Sequence, residues 1–179
     1  MTSFFVFSGF PARGEDAWEA LRTRRAFVLL RHALAPGTGD PVGMRLGDCS
    51  TQRNLSEEGR AQAARIGALF RDNGIERASV YSSEWCRCLD TARLMELGPV
   101  SPQPLLNSFF GEPENGKEQT EGLRQWLSTY SPELPLVLVT HQVNISGLTS
   151  IVPGSGELVF AILNNAGAAN VVGRQSTGA

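Results

Sequence analysis

Apolar positions along this chain follow two rhythms. Phe27-Val28-Leu29-Leu30 and Leu136-Val137-Leu138-Val139 are unbroken apolar runs, the pattern of strands buried on both faces of a parallel sheet. Between them, Ala63, Ile66, Gly67 and Phe70 recur at helical spacing behind Ser56, a natural N-cap followed by Glu57 and Glu58 in the first turn. That helix is predicted to end at Asn73-Gly74. The same reading predicts further helices over 14–24, 85–95, 117–130 (with Leu123, Trp126 and Leu127 inward) and 144–150. Further strands are predicted over 26–30, 78–81 and 136–140, with a short extended piece at 101–104. Residues 157–163 and 168–174, joined by Asn164-Asn165-Ala166-Gly167, read as a terminal hairpin. Segments 35–54 and 107–116 read as loops, the first punctuated by Pro36, Gly37, Gly39, Pro41, Gly43 and Gly47.

Strands alternating with helices imply one α/β domain, a three-layer αβα sandwich around a mostly parallel central sheet, closed by the C-terminal hairpin. At 179 residues the chain suits a single domain with a proper core, taken here as 1–179. Residues 1–13 are expected to lie outside the folded part, as a flexible segment or the remnant of a leader. Met1 to Phe10 are apolar but lack a positive n-region and a clear small-residue cleavage site, so the compartment expected is the cytoplasm, with the periplasm as the alternative. A net charge of −2 argues against nucleic acid as a bulk electrostatic partner, and no stretch reaches the roughly 18 apolar residues of a membrane span. The pattern fixes no oligomeric state.

The three cysteines, Cys49, Cys86 and Cys88, form no CxxC pair, which excludes a zinc ribbon or a disulfide scaffold. The preferred reading is three reduced packing thiols. Cys49 and Cys86 can pair only if the fold brings the first loop to a helix start, and the bond would persist only in an oxidising compartment.

The chain has just two histidines, and each ends one of the apolar runs: Arg31-His32 and Thr140-His141. In open α/β sheets ligands bind beyond the carboxyl ends of the strands. If these strands are neighbours, both imidazoles face one crevice. A neutral histidine is a competent covalent nucleophile, nearby cations hold it neutral, and guanidinium is the best planar partner for phosphate. Arg31 stands beside His32, and Arg87 follows Ser82-Ser83 at the end of another strand. Together these point to phosphoryl transfer, where catalysis is mostly positioning and neutralisation of charge.

Leu30-Arg31-His32-Ala33, Ser82-Ser83-x-x-x-Arg87-x-x-x-Thr91-Ala92, Val139-Thr140-His141 and the segment Asn54-Leu55-Ser56-Glu57-Glu58-Gly59 resemble, in order, the histidine phosphatase superfamily, also called phosphoglycerate mutase-like. The resemblance implies that His32 takes the phosphoryl group as a phosphohistidine, that Arg31, Arg87 and His141 form the phosphate pocket, and that backbone N–H groups from Gln142 onward add donors. It places Arg53 at the pocket rim. It implies no metal and no cofactor. Asp48-Cys49-Ser50-Thr51-Gln52-Arg53-Asn54-Leu55 is also similar to phosphatases acting on lipopolysaccharide core heptose phosphate.

The chain departs from mutase-type members in two places, and the missing acid, together with a chain short for a mutase, favours a phosphatase. Residues 34–40 lack the Asn that mutase-type members place after the nucleophile. The Glu that such members carry after a Leu-Asn pair is also missing, since Leu106-Asn107 precedes Ser108. Glu112 is the first candidate for the general acid, with Glu114 and Asp48 behind it. The expected activity is metal-independent hydrolysis of a phosphomonoester, of the histidine acid phosphatase type, on a phosphorylated small molecule or phosphoprotein. The alternatives are a protein-phosphohistidine phosphatase and a non-catalytic phosphate-binding module. A metal centre on the two histidines with Asp48 or Glu112 is the least favoured reading.

Overall fold

In a computed structural model, which describes residues 16–131 and 133–178, the apolar runs form the middle of one six-stranded sheet. The expectation for residues 1–13 lies outside the described residues. Strand β1 (Phe27–Arg31) pairs in parallel with β4 (Leu136–Thr140), Arg31 opposite Thr140. Beyond β4 come β2 (Ser79–Ser82) and β3 (Val100–Pro102), both parallel to it. On the other side of β1, β5 (Leu158–Leu163) runs antiparallel and leads into β6 (Ala169–Gln175), the predicted hairpin. The order is β3-β2-β4-β1-β5-β6, and only β5 runs against the rest.

Helices cover both faces, giving the expected three layers. On one face α1 (Ala17–Arg22), α2 (Glu57–Asp72) and α3 (Cys86–Leu94) bury Trp18, Leu21, Ile66, Phe70 and Ala92 against Val28, Leu30, Val137 and Val139. On the other, α4 (Gly116–Thr129) and α5 (Gln142–Thr149) bury Leu123, Leu127, Ile145 and Leu148 against Leu29, Leu138 and Val159. Trp126 packs against this core as expected but is only half buried. Its ring stacks on Tyr130 at 4.8 Å and meets Tyr81 edge-on at 5.0 Å, so the three aromatics form the border of that layer.

Two local features aim α2 at the site. Ser56 caps it as predicted, its hydroxyl accepting from the Gly59 N–H at 3.0 Å. Gly59 itself permits contact with the chain after β1, for a Cβ there would stand 2.0 Å from the Leu34 carbonyl oxygen. The loop over 35–54 contains a 3-10 turn at Cys49–Thr51, capped by Asp48 through the Ser50 N–H. It is joined covalently to the start of α3 by a Cys49–Cys86 disulfide. This corrects the expectation of three reduced thiols: the fold carries the loop across to α3, and only Cys88 remains free and buried.

Candidate active site

Because β1 and β4 are adjacent, the residues that end them emerge together. His32 N–H donates to the Thr140 carbonyl at 3.0 Å, and the Arg31 and His32 carbonyls both accept from the Gly156 N–H at 3.1 Å. The strand ends are therefore held by backbone bonds from both sides. The His32 and His141 rings meet edge to face, 5.5 Å between centroids, and Trp85 packs on the far side of His141 at 5.4 Å. Both histidines are buried.

His32 Nδ1 lies 2.8 Å from the Ala33 carbonyl oxygen. A carbonyl can only accept, so the assigned tautomer carries its proton on Nδ1 and leaves the Nε2 lone pair free. Burial lowers the His32 pKa to about 3; the bond to Ala33 opposes the shift, and the charges of Arg87, Arg31 and Arg53 reinforce it. His141 is held well below its ordinary value by burial, then by His32 and the same arginines. Both rings are thus neutral at physiological pH. Ser83 Oγ sits 2.8 Å from His141 Nε2 and 3.2 Å from Asn107 Oδ1, tying the ring to the end of β2 and to the loop after residue 106. Cys88 Sγ also approaches His141 Nε2, at 3.5 Å, but burial pushes this thiol up to about 12, so it is no thiolate nucleophile.

The arginines converge from three elements. Arg31 ends β1 and donates from Nη1 to the Pro153 carbonyl at 2.8 Å. Arg87 lies in the first turn of α3 and is 3 % exposed. Arg53 leaves the loop, its guanidinium donating to the Gly39 carbonyl at 2.6 Å and to the Ala35 carbonyl. Arg31 Nε and Arg87 Nε are buried and have no partner among protein atoms. Such orphaned donors in a cavity wall suit an anion. Thr91 braces the arrangement: its hydroxyl donates to the Arg87 carbonyl at 2.7 Å and accepts from the Ala33 N–H at 3.0 Å.

Arg31, His32, Arg53, Arg87, Glu112 and His141 all line one cavity of about 590 Å³, which Gln142 and Val143 at the start of α5 also reach. Glu112 is exposed and stands at the mouth, its carboxylate accepting from the Asn115 side chain at 2.6 Å. Glu114 and Asp48 do not line the cavity, and Asp48 is engaged by Arg45 at 2.8 Å. The floor is cationic and polar, whereas Met44, Leu46 and Phe110 supply apolar side chains higher up, the last two exposed. Among the described residues no three His, Cys, Asp or Glu side chains converge as a metal-binding set. No described helix is long and apolar enough to cross a membrane.

One carboxylate escaped the sequence reading. Asp40 projects from the Gly-rich loop onto Arg87, with Oδ1 2.7 Å from Nη1 and Oδ2 3.1 Å from Nη2. Its Oδ2 also accepts from Trp85 Nε1 at 3.1 Å, and its Oδ1 from the Arg53 N–H at 3.3 Å. Partial burial raises its pKa, but the bonds and charge of Arg87, with those from Arg53 and Trp85, outweigh this and hold it below the ordinary carboxylate range. The only sequence signal was an acid between two glycine-flanked turns, Gly39-Asp40-Pro41, which by itself reads as turn chemistry.

A sequence profile of the histidine phosphatase superfamily (branch 1) matches residues 27–134, and the chain belongs to that family. Among solved structures, a phosphoserine phosphatase from Entamoeba histolytica, in complex with 3-phosphoglyceric acid, superposes with a TM-score of 0.61 at 16% identity, covering 84% of this chain and 96% of that one. The protein histidine phosphatase SixA, complexed with tungstate, gives 0.59 at 16% identity over 85% and 97%. A native mycobacterial glucosyl-3-phosphoglycerate phosphatase gives 0.58 at 16% identity over 83% and 97%. At these identities the likeness establishes the shared fold. A search of curated protein sequences found no match.

Proposed function

We propose that this protein is a metal-independent phosphatase that hydrolyses a phosphomonoester through a phosphohistidine on His32. The observation that carries the reading is the His32 ring itself: neutral, anchored at Nδ1 by Ala33, its Nε2 free inside a cavity that also holds Arg31, Arg87 and His141. A neutral imidazole needs no base to become a nucleophile. Arg31 and Arg87 bind the equatorial oxygens, His141 stabilises the group in transfer, Arg53 adds positive charge from the rim, and the first N–H groups of α5 contribute further donors. Water then cleaves the phosphohistidine.

Family membership and the phosphatases that share its fold support this class of activity. The protein-phosphohistidine alternative draws on the missing Glu after Leu106-Asn107, because an imidazole leaving group depends less on an acid. The Cys49–Cys86 bond favours an oxidising compartment such as the periplasm over the cytoplasm.

The test is hydrolysis of 4-nitrophenyl phosphate with EDTA present, comparing wild type with His32→Ala. Wild type is expected to turn over undiminished by the chelator, and His32→Ala to lose at least about 10³-fold in kcat/KM. Activity abolished by EDTA, or retained by the variant, would refute the reading.

A further inference from the structure

We propose that the substrate is the phosphomonoester of an uncharged, apolar alcohol whose body rests on Trp85, Met44, Leu46 and Phe110, an inference that rests on the phosphatase reading above. The cavity of about 590 Å³ has far more room than a phosphate group fills. Its apolar side begins beside the nucleophile's partner. Trp85 packs on His141 at 5.4 Å between ring centroids, lines the cavity, and already gives its Nε1–H to Asp40 at 3.1 Å. The indole therefore presents carbon rather than a free donor to the leaving group. Met44 continues this side, half buried against the core cluster that contains Trp85. Leu46 and Phe110 complete it from the two loops, and both are exposed. The loops meet there, for a Cβ on Gly39 would stand 3.9 Å from Phe110 Cε1. Among the described residues the exposed large hydrophobic side chains are Val42, Leu46, Phe110, Val152 and Val172. Two of them line this cavity and Val42 follows Pro41 of the same wall, so apolar surface left in water is concentrated where a ligand would cover it.

Charge narrows the body further. The cations lining the cavity among the described residues are Arg31, Arg53 and Arg87, and the charge of Arg87 lowers the pKa of both others, so the three stand together around one anion. A second anionic group further along the substrate would find no cation of its own. Arg45 lies between Met44 and Leu46 in sequence, but it is paired with Asp48 at 2.8 Å and does not line the cavity. Glu112 stands at the mouth and repels an anionic body. The same carboxylate opposes docking on an anionic lipid surface, which assigns the site to a dispersed ester rather than to a lipid held in a bilayer.

An apolar body gains by burial in proportion to its length. Each methylene moved from water onto this wall contributes a factor of about 2–4 in affinity, until the chain outgrows the cavity. The wall is remote from the bond that breaks, so it holds ground state and transition state alike. Its contribution therefore falls in KM and leaves kcat little changed.

The experiment measures phosphate release from n-butyl, n-hexyl and n-octyl phosphate, each below its micelle-forming concentration. Glucose 6-phosphate, phosphatidic acid in phosphatidylcholine vesicles and 4-nitrophenyl phosphate are run alongside. Wild type is compared with Phe110→Ala, Leu46→Ser and Val172→Thr, the last an exposed position on β6 outside the cavity, with folding of each checked by circular dichroism. In wild type, kcat/KM on n-octyl phosphate is expected to exceed that on n-butyl phosphate by at least about 10-fold, through KM. Phe110→Ala and Leu46→Ser should each shrink that ratio by at least about threefold, and Val172→Thr should keep it. Equal kcat/KM along the alkyl series, a ratio untouched by both cavity variants, or a preference for glucose 6-phosphate overturns the substrate class while leaving the phosphohistidine route standing. Turnover of 4-nitrophenyl phosphate with none of the alkyl esters does the same. Faster release from the vesicles than from n-octyl phosphate overturns the assignment to a dispersed ester. No turnover of any ester by wild type overturns the phosphatase reading and this inference with it.

Discussion

The two walls of the cavity are built on different principles. One is the carboxyl edge of β1 and β4, where His32 is fixed by backbone bonds to Thr140 and Gly156, the His141 carbonyl accepts from the Ile145 N–H, and the sheet core lies beneath them. The other is the loop over 35–54, with glycines at positive φ at Gly37, Gly39 and Gly43 and no ladder to hold it. Its order comes from side chains and one covalent bond: Arg53 on its own carbonyls, Asp40 on Arg87, Gln52 accepting from the Cys86 N–H at 2.9 Å, and the Cys49–Cys86 disulfide. His32, His141, Arg31 and Arg87 therefore sit on or directly after regular elements, whereas Arg53 and Asp40 hang on the pinned loop.

Arg87 joins the two walls, so its loss is expected to have the largest effect. Arg87→Ala removes a guanidinium proposed to bind phosphate and leaves the Asp40 carboxylate, 16% exposed in its side chain, without its cation. Activity should fall at least about 10³-fold, and unfolding free energy by about 3 kcal/mol, read from steady-state kinetics and urea titration. A variant that binds phosphate as well as wild type would dissolve the link between the walls.

Acid attacks the strand-end wall. In the unfolded chain His32 takes a proton near 6.5, whereas in the fold it refuses one until about pH 3. Within that window the unfolded state binds the extra proton, so stability is complete above 6.5 and declines as pH falls, by up to about 1.4 kcal/mol per unit from this group. His141 acts in the same direction, and Asp40, with its carboxyl held low, adds a loss near and below pH 4. Urea midpoints at pH 7, 5 and 4 should fall in that order, and a flat series would refute the buried neutral rings.

Reductant attacks the loop wall, with the smallest effect on chemistry. Cys49 is exposed, and opening the bond, or making Cys49→Ser, should cost about 2–4 kcal/mol of stability. KM should rise while kcat on 4-nitrophenyl phosphate changes little. A fall in kcat with KM unmoved would show that the loop shapes the nucleophile after all.

The same division explains how much was legible in the sequence. The strands and the placing of His32, His141 and Arg31 at their ends followed from unbroken apolar runs, a signal set by burial on both faces of the sheet. Arg87 followed because it opens a helix directly after a strand. Asp40 was hidden, and the Cys49–Cys86 pair was legible only as the less favoured alternative, because each depends on where a glycine-rich loop crosses the fold, and no periodicity encodes that path. Glu112 drew attention through its position after Leu106-Asn107, while a turn at Pro113–Asn115 leaves it at the mouth. Trp126 fits the helical stripe and packs on Tyr81 of β2 while staying half exposed.

The apolar collar above the cationic floor bears on how this protein should be screened. Met44, Leu46 and Phe110 offer a landing surface to any flat aromatic ring whose phosphate reaches Arg87. Chromogenic and fluorogenic esters carry such a ring, so they will rank high in a compound panel through the dye rather than through kinship with the biological ester. Hits are best ranked by kcat/KM relative to an alkyl phosphate, with Phe110→Ala run alongside to subtract what the dye contributes.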